Sequence, residues 1–348
     1  MPTSVATTPD VRGRFASQLL TGTPARDVAT VVDRILAVQA QDLPAARLAI
    51  RSRSTGLISA DVDRALTVDR THCITWLNRG TLHLVSREDY WWLQLLTAPT
   101  TRTANEKRLA QEGASIVGAE RAMRFIKRWL SSDGPMTRLQ IGERLAAKGI
   151  RTQGQALVHT LMYASLRGHI VRGPVIGREQ GFVSVRDWWG SPPKLDRDEV
   201  LAKLARRYLA GHAPANERDL AKWSGLPLRD VRRGLSLIAA DVNDFEGQLS
   251  LKSQRLEVEV PKPKLLGSFD PVLMGWVDRG WVLGDARHVV TANGMFLAFA
   301  MVNGVASATW RRQRGEVVLE HFAEVPPKVA KALAREATDL DRFLTPKG

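Results

Sequence analysis

The stretch from Cys73 to Val85 has the sequence CITWLNRGTLHLV. Two runs rich in β-branched and aromatic residues flank residues 78–80, and this pattern predicts a β-hairpin. Apolar residues at helical spacing occur before it, over 45–53 and 59–66. Two helices followed by a hairpin are the order of elements in a winged helix, so we predict a winged-helix unit in this part of the chain.

The same order recurs twice farther along the chain. Thr137 is placed to cap a helix that runs to Lys148, a second helix is predicted over 153–167, and strand-like residues follow over 168–185. In the next segment Ala221, Gly225 and Val231 have the spacing of a helix-turn-helix motif, and its second helix is predicted from Leu228 to Ile238. We therefore expect about three winged-helix units in tandem.

The C-terminal part is predicted to be β-rich. Residues 265–322 alternate like strands, and Asn303-Gly304 between 296–302 and 305–310 favours a tight hairpin turn. A closing helix is predicted from Pro326 to Phe343. The predicted fold class is α+β. The predicted domain boundaries are 1–133 for the N-terminal winged helix, 134–193 for the second, 194–260 for the third and 261–348 for the β-rich end with its closing helix.

Composition limits the classes of function. The 348 residues carry a formal net charge of +14, from 50 Lys and Arg against 36 Asp and Glu. Such a balance favours a polyanionic partner, most often nucleic acid, although charge that serves solubility is the alternative. A single cysteine, Cys73, excludes a disulfide framework and any zinc site that needs several thiolates.

Other classes of function have no support in the sequence. The seven His are scattered, so we expect no metal and no cofactor. The chain shows neither a signal pattern nor an apolar run of membrane-spanning length, and a monomeric cytoplasmic protein without a membrane partner is expected.

Two glutamines follow a predicted amphipathic helix over 24–38, at Gln39 and Gln41 with Ala40 between them. From the residues alone they are two solvated polar groups at a helix end. However, the segments 35–42 and 75–85 together resemble the AlkZ-like DNA glycosylases, which are built from tandem winged helices. The resemblance implies that the Gln-apolar-Gln motif faces a DNA-binding cleft, with Gln39 and Gln41 as the catalytic residues.

The resemblance extends over most of the chain, from about residue 12 to residue 322. It includes the segments 211–226, 268–279, 293–296 and 304–311. In the first of these the family often has Gly-Pro-Ala before the aspartate, whereas His212 and Ala213 interrupt that spacing here.

The chemistry of glutamine restricts the substrate. A neutral amide is too weak a base to expel a normal purine. An N3- or N7-alkylated purine is already cationic, so its glycosidic bond is labile, and two amide oxygens could position water and favour the positive charge that develops on the sugar. No lysine is near the glutamines in sequence, which favours a monofunctional enzyme. Asp42 either assists or, as we rather expect, caps the next helix.

The resemblance also implies that bulky or crosslinked adducts are accepted, since members of the family excise alkylated purines and some unhook DNA crosslinks. The expected partner is double-stranded DNA.

Basic residues in the predicted turns and helices are the candidate contacts to DNA. Arg79 in the hairpin turn either pairs with a phosphate or is a solvated turn residue. His83 on the following strand either contacts DNA or has a structural role. Arg279 reaches the DNA backbone or pairs with Asp278. The full set of candidate DNA contacts is Arg79, Thr81, His83, Arg229, Arg232, Arg233, Arg279, Arg311 and Arg312.

Two alternatives to an enzyme remain at this stage. A non-catalytic winged-helix DNA-binding protein or regulator explains the basic charge and the helix-turn-helix spacing equally well. A protein that recognises and holds lesions without releasing a base also fits. Loss of base release on replacement of Gln39 and Gln41 would separate the glycosylase from both alternatives.

Overall fold

A computed structural model describes residues 9–177, 179–256 and 259–345. The chain forms two compact units. Unit 1 consists of Met1–Val62, Leu201–Trp223 and Pro227–Gly348, and unit 2 consists of Asp63–Val200 with Ser224–Leu226.

The first segment of the chain is mainly helical. Its elements are α1 (Pro9–Ser17), α2 (Val28–Ile35), β1 (Val38–Gln39), α3 (Leu43–Arg51) and α4 (Ser59–Thr67). Helix α2 begins after Asp27, whose carboxylate accepts a hydrogen bond from the Thr30 amide.

The prediction that this second helix extends to Val38 is wrong. The helix ends at Ile35, because Leu36 adopts a left-handed backbone conformation with φ of 68°. Residues 38 and 39 are extended instead, so Gln39 lies in a short strand beyond the helix and not at its last turn.

Unit 2 combines one antiparallel sheet with long helices. Within this unit the strands are ordered β3-β2-β4-β5. The elements of this part of the chain are β2 (His72–Leu77), β3 (Thr81–Ser86), α5 (Arg87–Gln111), α6 (Ile116–Asp133), α7 (Arg138–Ala146), α8 (Ala156–Leu166), β4 (Ile170–Ile176), β5 (Glu179–Ser184), α9 (Val185–Trp189) and α10 (Arg197–His212), the last of which continues into unit 1.

Local signals that the sequence predicts account for much of unit 2. Strands β2 and β3 form the predicted hairpin, with Ile74 opposite Leu84 in the register. Ser86 caps α5 by accepting a hydrogen bond from the Asp89 amide. Thr137 and Gln140 form a reciprocal capping box at the start of α7, which confirms the predicted cap.

The rest of unit 1 contains helices, a sheet and a closing helix. The sheet has four antiparallel strands in the order β11-β10-β9-β8. The elements are α11 (Glu217–Ser224), α12 (Leu228–Leu237), β6 (Val242–Phe245), β7 (Gln248–Leu251), β8 (Lys264–Leu266), α13 (Pro271–Met274), α14 (Gly280–Leu283), β9 (Phe299–Val302), β10 (Val305–Gln313), β11 (Glu316–His321) and α15 (Pro327–Leu344).

The predicted turn and closing helix are confirmed. Asn303 and Gly304 both have positive φ, of 52° and 83°, as a type I′ hairpin turn requires. The expectation of strands throughout 265–322 is wrong in part, because α13 and α14 interrupt it. Asp270 caps α13 through the Val272 amide, and Pro271 occupies its first turn, where a helix tolerates proline.

The core of unit 1 packs the closing helix on the sheet. Leu333, Leu340 and Phe343 of α15 are buried against Leu265 and Trp310. Deeper in the same unit, Arg53 and Asp270 form an ion pair of 2.7 Å whose two side chains are fully buried. Gln18 accepts a further hydrogen bond from the Arg53 guanidinium, at 3.0 Å. Hydrogen bonds from both terminal nitrogens of Arg53 reach the two carboxylate oxygens of Asp270, which offsets much of the cost of burial, but Nε of Arg53 has no partner among the described residues.

The mixed α+β class is confirmed, with antiparallel sheets and helices along the whole chain. The number of winged-helix units and the four proposed segment boundaries remain predictions. Across residues 9–177, 179–256 and 259–345, no helix has both the length and the apolar character needed to cross a membrane.

Candidate active site

Gln39 is buried in strand β1, with 7% of its surface exposed. Its amide oxygen Oε1 is inaccessible to water and accepts no hydrogen bond from any described residue. An unsatisfied buried carbonyl oxygen carries a desolvation cost on the order of 1–3 kcal/mol. An unsatisfied buried acceptor of this kind is typical of a position that binds a ligand and does not contribute to stability.

The second glutamine of the motif is placed differently. Gln41 is exposed, in the bend between β1 and α3. Ala40 between the two is buried, with 2% of its surface exposed, and so anchors this stretch of backbone. The motif therefore offers one buried and one accessible amide within three residues.

Asp42 occupies the N-cap position of α3 but, among the described residues, its carboxylate makes no capping hydrogen bond. Partial burial raises the pKa of Asp42, and this effect exceeds the lowering by the Ala45 amide and by Arg47. Asp42 therefore occupies the expected cap position, where its carboxylate interacts with the Ala45 amide without the geometry of a full capping hydrogen bond.

A groove of about 730 Å³ opens beside Asp42 within unit 1. Its walls come from distant parts of the sequence: residues 42–48 on one side, and residues 297–298 and 309–312 on the other. Arg311 and Arg312 both line it, together with Trp310. The groove therefore joins the residue that follows the Gln-Ala-Gln motif to two of the predicted DNA contacts.

The candidate DNA contacts in the hairpin of β2 and β3 lie in unit 2. Arg79 is exposed at the turn, in a left-handed conformation with φ of 56°. The Thr81 hydroxyl donates a hydrogen bond to the Asn78 carbonyl oxygen at 3.2 Å, which stabilises the turn. The side chain of Arg79 is exposed to solvent, whereas the Thr81 hydroxyl is engaged within the turn.

His83 is buried, with 4% of its surface exposed. Burial, with a smaller contribution from Arg79, lowers the pKa of His83 to about 4, although the contact with the Thr81 carbonyl opposes this shift. Since Nδ1 faces that carbonyl oxygen at 3.0 Å, the proton of the neutral ring lies on Nδ1 and Nε2 is an acceptor. A neutral acceptor is suited to an N–H group and not to a phosphate.

The three candidates of helix α12 differ in their partners. Arg229 is highly exposed, with Asp230 at 3.9 Å. Arg232 is held by two hydrogen bonds to Glu217, of 2.8 and 2.7 Å. Arg233 is exposed on the same helix. All three present cations on one surface of unit 1, but Arg232 must leave or share its carboxylate before it can bind a phosphate.

Arg279 is half-buried and mainly structural in its contacts. Its Nε donates a hydrogen bond of 2.7 Å to the Leu273 carbonyl oxygen, and its guanidinium stacks over Phe296. Burial lowers the pKa of Arg279. The alternative of an ion pair with Asp278 is not formed in the described structure, since Asp278 accepts a hydrogen bond from the Gly280 amide instead.

The chain matches the family model described as DNA glycosylase AlkZ-like over residues 32–343. This match spans most of the sequence and includes both glutamines. The chain belongs to the AlkZ-like DNA glycosylase family. As a member of this family it is a DNA glycosylase, an enzyme of DNA repair.

A solved structure is similar to this AlkZ-like protein over nearly its whole length. The Streptomyces sahachiroi DNA glycosylase AlkZ superimposes with a TM-score of 0.79 and 22% sequence identity. The match covers 97% of this chain and 96% of that chain. At this identity the similarity establishes the fold. No curated protein sequence matches.

Proposed function

We propose that this AlkZ-like protein is a monofunctional DNA glycosylase that hydrolyses the N-glycosidic bond of cationic alkylated purines. The observation that supports it most directly is the buried, unpartnered Oε1 of Gln39. In this proposal Gln39 and Gln41 are the catalytic residues, double-stranded DNA is the substrate, and the protein acts as a monomer without a cofactor.

The two amides would act by position and partial charge. A glutamine oxygen cannot remove a proton from water at a useful rate, but the exposed amide of Gln41 can accept a hydrogen bond and orient the water for attack, while the buried Oε1 of Gln39 acts through its partial charge. The same partial negative charge favours the cationic sugar of the transition state. An alkylated purine needs no protonation to leave, so a neutral site suffices for it.

The basic groove supports a DNA substrate. Arg311 and Arg312 line it together with Asp42, which directly follows the motif. A shallow groove of this kind does not need to enclose the base fully, unlike the closed pockets of base-flipping enzymes. We therefore extend the proposal to bulky or crosslinked adducts as substrates.

The test is release of 7-methylguanine from methylated duplex DNA. We expect release by the wild type and loss of release by Gln39→Ala/Gln41→Ala, with affinity for DNA retained. Gln111→Ala is the matched control, because Gln111 lies at the end of α5 in the other unit and accepts a hydrogen bond from Arg108. Release by the double variant at the wild-type rate would contradict the catalytic role of the glutamines.

The range of substrates is tested separately. Duplexes that carry a bulky N7-alkylguanine or an interstrand crosslink replace methylated DNA in the same assay. Release of the methyl adduct alone would restrict the substrate to small lesions. DNA binding without release of any base would favour the non-catalytic alternative.

A further inference from the structure

Unit 2 contains a cavity of about 860 Å³ that none of the residues considered so far lines. This volume is in the range of pockets that bind small molecules or single groups of a larger ligand. The walls come from helices α5, α6 and α9, the segment around Gly168 and the residues that follow α9. The cations among its lining residues are Arg102, Lys127, Arg128, Arg167 and Arg186, with His169 beside them.

The charge of the lining is strongly one-sided. Asp187 is the sole acid among the described residues that line the cavity, and it accepts a hydrogen bond from Ser131. Arg167 is paired with Glu106 at 2.9 Å. Lys127, Arg128 and Arg186 are exposed and have no acidic partner among the described residues. Other surface arginines of the chain, such as Arg232, do have such partners.

Two groups in the lining respond to the crowding of cations. The pKa of His169 is lowered by burial and then by Lys127 and Arg167. Burial, followed by Arg167, lowers the pKa of Arg102. Burial is the larger cause of both shifts, and the smaller contributions of Lys127 and Arg167 reflect the repulsion between neighbouring cations, which a bound anion would relieve.

A hydroxyl without a partner lies behind one wall. Tyr90 is fully buried, and its hydroxyl oxygen has no hydrogen-bond partner among the described residues. A side chain added at Gly168, which lines the cavity, would lie 3.8 Å from this hydroxyl. Because residue 168 is glycine, no side chain fills the space at this wall of the cavity, behind which the Tyr90 hydroxyl lies.

We propose that this cavity binds a phosphate group, carried by the backbone of a DNA strand or by a free nucleotide. Lys127, Arg128 and Arg186 supply the positive charge. The guanidinium of Arg102 adds a fourth positive charge and is fixed at the cavity wall, because it donates hydrogen bonds of 3.1 and 3.0 Å to the Leu166 carbonyl oxygen. Trp91, half-buried in the lining, gives an adjacent flat surface for a sugar or base. The inference relies on the proposed function only for DNA as one source of the phosphate.

The experiment compares two double variants of helix α6. Lys127→Ala/Arg128→Ala removes two cations that line the cavity. Arg121→Ala/Arg124→Ala removes two exposed cations of the same helix that do not line it. The pairs are matched, since Arg121 and Arg128 both stack on Phe125. Arg186→Ala tests the cavity from a different element, α9.

The first measurement is affinity for an undamaged DNA duplex over a series of salt concentrations. If the phosphate belongs to DNA, the salt dependence of log K falls by about 2 for the cavity pair and by about 1 for Arg186→Ala. The α6 control pair leaves it unchanged. Base release is not the readout, so a failure of the glutamine chemistry does not affect this result.

The second measurement is titration with thymidine 5′-monophosphate, followed by NMR. If the wild type binds the nucleotide, Lys127→Ala/Arg128→Ala does not, and the affinity for the duplex is the same for both, then the site binds free nucleotides. Equal effects of both α6 pairs on the duplex, or no effect of any variant on either ligand, would overturn the proposal. Thermal melting of each variant verifies that it is folded.

Discussion

Arg232 and Glu217 are joined by two parallel hydrogen bonds, of 2.8 and 2.7 Å, between helices α12 and α11. The carboxylate thus occupies the two donors with which an arginine binds a phosphate. Arg232 lowers the pKa of Glu217, so the carboxylate stays ionised and the pair persists well below neutral pH. Arg232 can therefore bind a phosphate with its full guanidinium only when it leaves Glu217, and a single substitution at Glu217 would remove this restraint.

Glu217→Gln is therefore expected to bind duplex DNA more tightly than the wild type. The change frees the guanidinium and removes a negative charge, and the salt dependence of log K should steepen by about 1. Salt-dependent anisotropy titrations measure this. Glu143→Gln, which changes an exposed glutamate of α7, is the charge-matched control. Identical affinities for Glu217→Gln and the control would place Arg232 away from DNA.

Arg311 and Arg312 should differ in their importance for DNA binding. Both line the groove beside Asp42, but Arg312 is paired with Asp341 at 3.0 Å, whereas Arg311 has no acidic partner among the described residues. We expect Arg311→Ala to reduce the salt slope by about 1 and Arg312→Ala to reduce it less. The same duplex titration compares them. A larger loss for Arg312→Ala would contradict the expectation that its pair with Asp341 limits its contact with DNA.

Replacement of Gln39 should abolish base release without lowering the stability of the folded protein. Methionine has a similar shape and does not leave an amide oxygen unsatisfied, so Gln39→Met is expected to keep the free energy of unfolding or raise it by about 1 kcal/mol. Base release should be lost. Urea unfolding and the 7-methylguanine assay measure the two effects.

Gln18→Met is the control for that substitution. Gln18 is also fully buried in unit 1, but its amide donates to the Gly211 carbonyl oxygen and accepts from Arg53. The same change there leaves buried groups unpaired and should cost on the order of 2 kcal/mol. Equal destabilisation by both substitutions would show that Gln39 has a structural partner.

The folded protein should lose stability as the pH falls below neutrality, in part through His83. Its pKa is about 4 in the folded state and about 6.5 when unfolded. The unfolded chain therefore binds the proton first, and the stabilising contribution is complete above pH 6.5 and decreases until pH 4. Between pH 7 and pH 5 the loss is on the order of 2 kcal/mol.

His83→Asn tests that assignment. Urea unfolding at pH 7 and pH 5 should show a smaller pH dependence for the variant than for the wild type. His212, whose pKa burial lowers to about 3, contributes with the same sign in both proteins and cancels in the comparison. An unchanged pH dependence would mean that His83 is accessible and titrates normally.

The local elements of this fold follow from short signals in the sequence. The Thr137 cap, the Asn303-Gly304 turn and the hairpin at 72–86 each depend on neighbouring residues, and each is found where the sequence predicts it. The end of helix α2 is not predictable in this way. The apolar spacing continues to Val38, but the helix ends where Leu36, a fully buried residue that is not a glycine, has a positive φ.

The sites depend on contacts between distant residues, which a single sequence does not reveal. The resemblance to the family identifies Gln39 and Gln41, but not that one is buried and the other exposed. The Arg232–Glu217 pair spans fifteen positions and two helices. The cavity of unit 2 collects Arg102, Lys127 and Arg186 from three helices, and in the sequence each is one basic residue among many.

The ion pair between Arg53 and Asp270 has a consequence for how the protein is made. Its partners are 217 positions apart, and the intervening chain contains all of unit 2. On the ribosome the first 62 residues emerge long before the partners that complete their core, whereas unit 2 is almost continuous. The segment that bears the Gln-Ala-Gln motif therefore completes its buried core only after Asp270 has been synthesised.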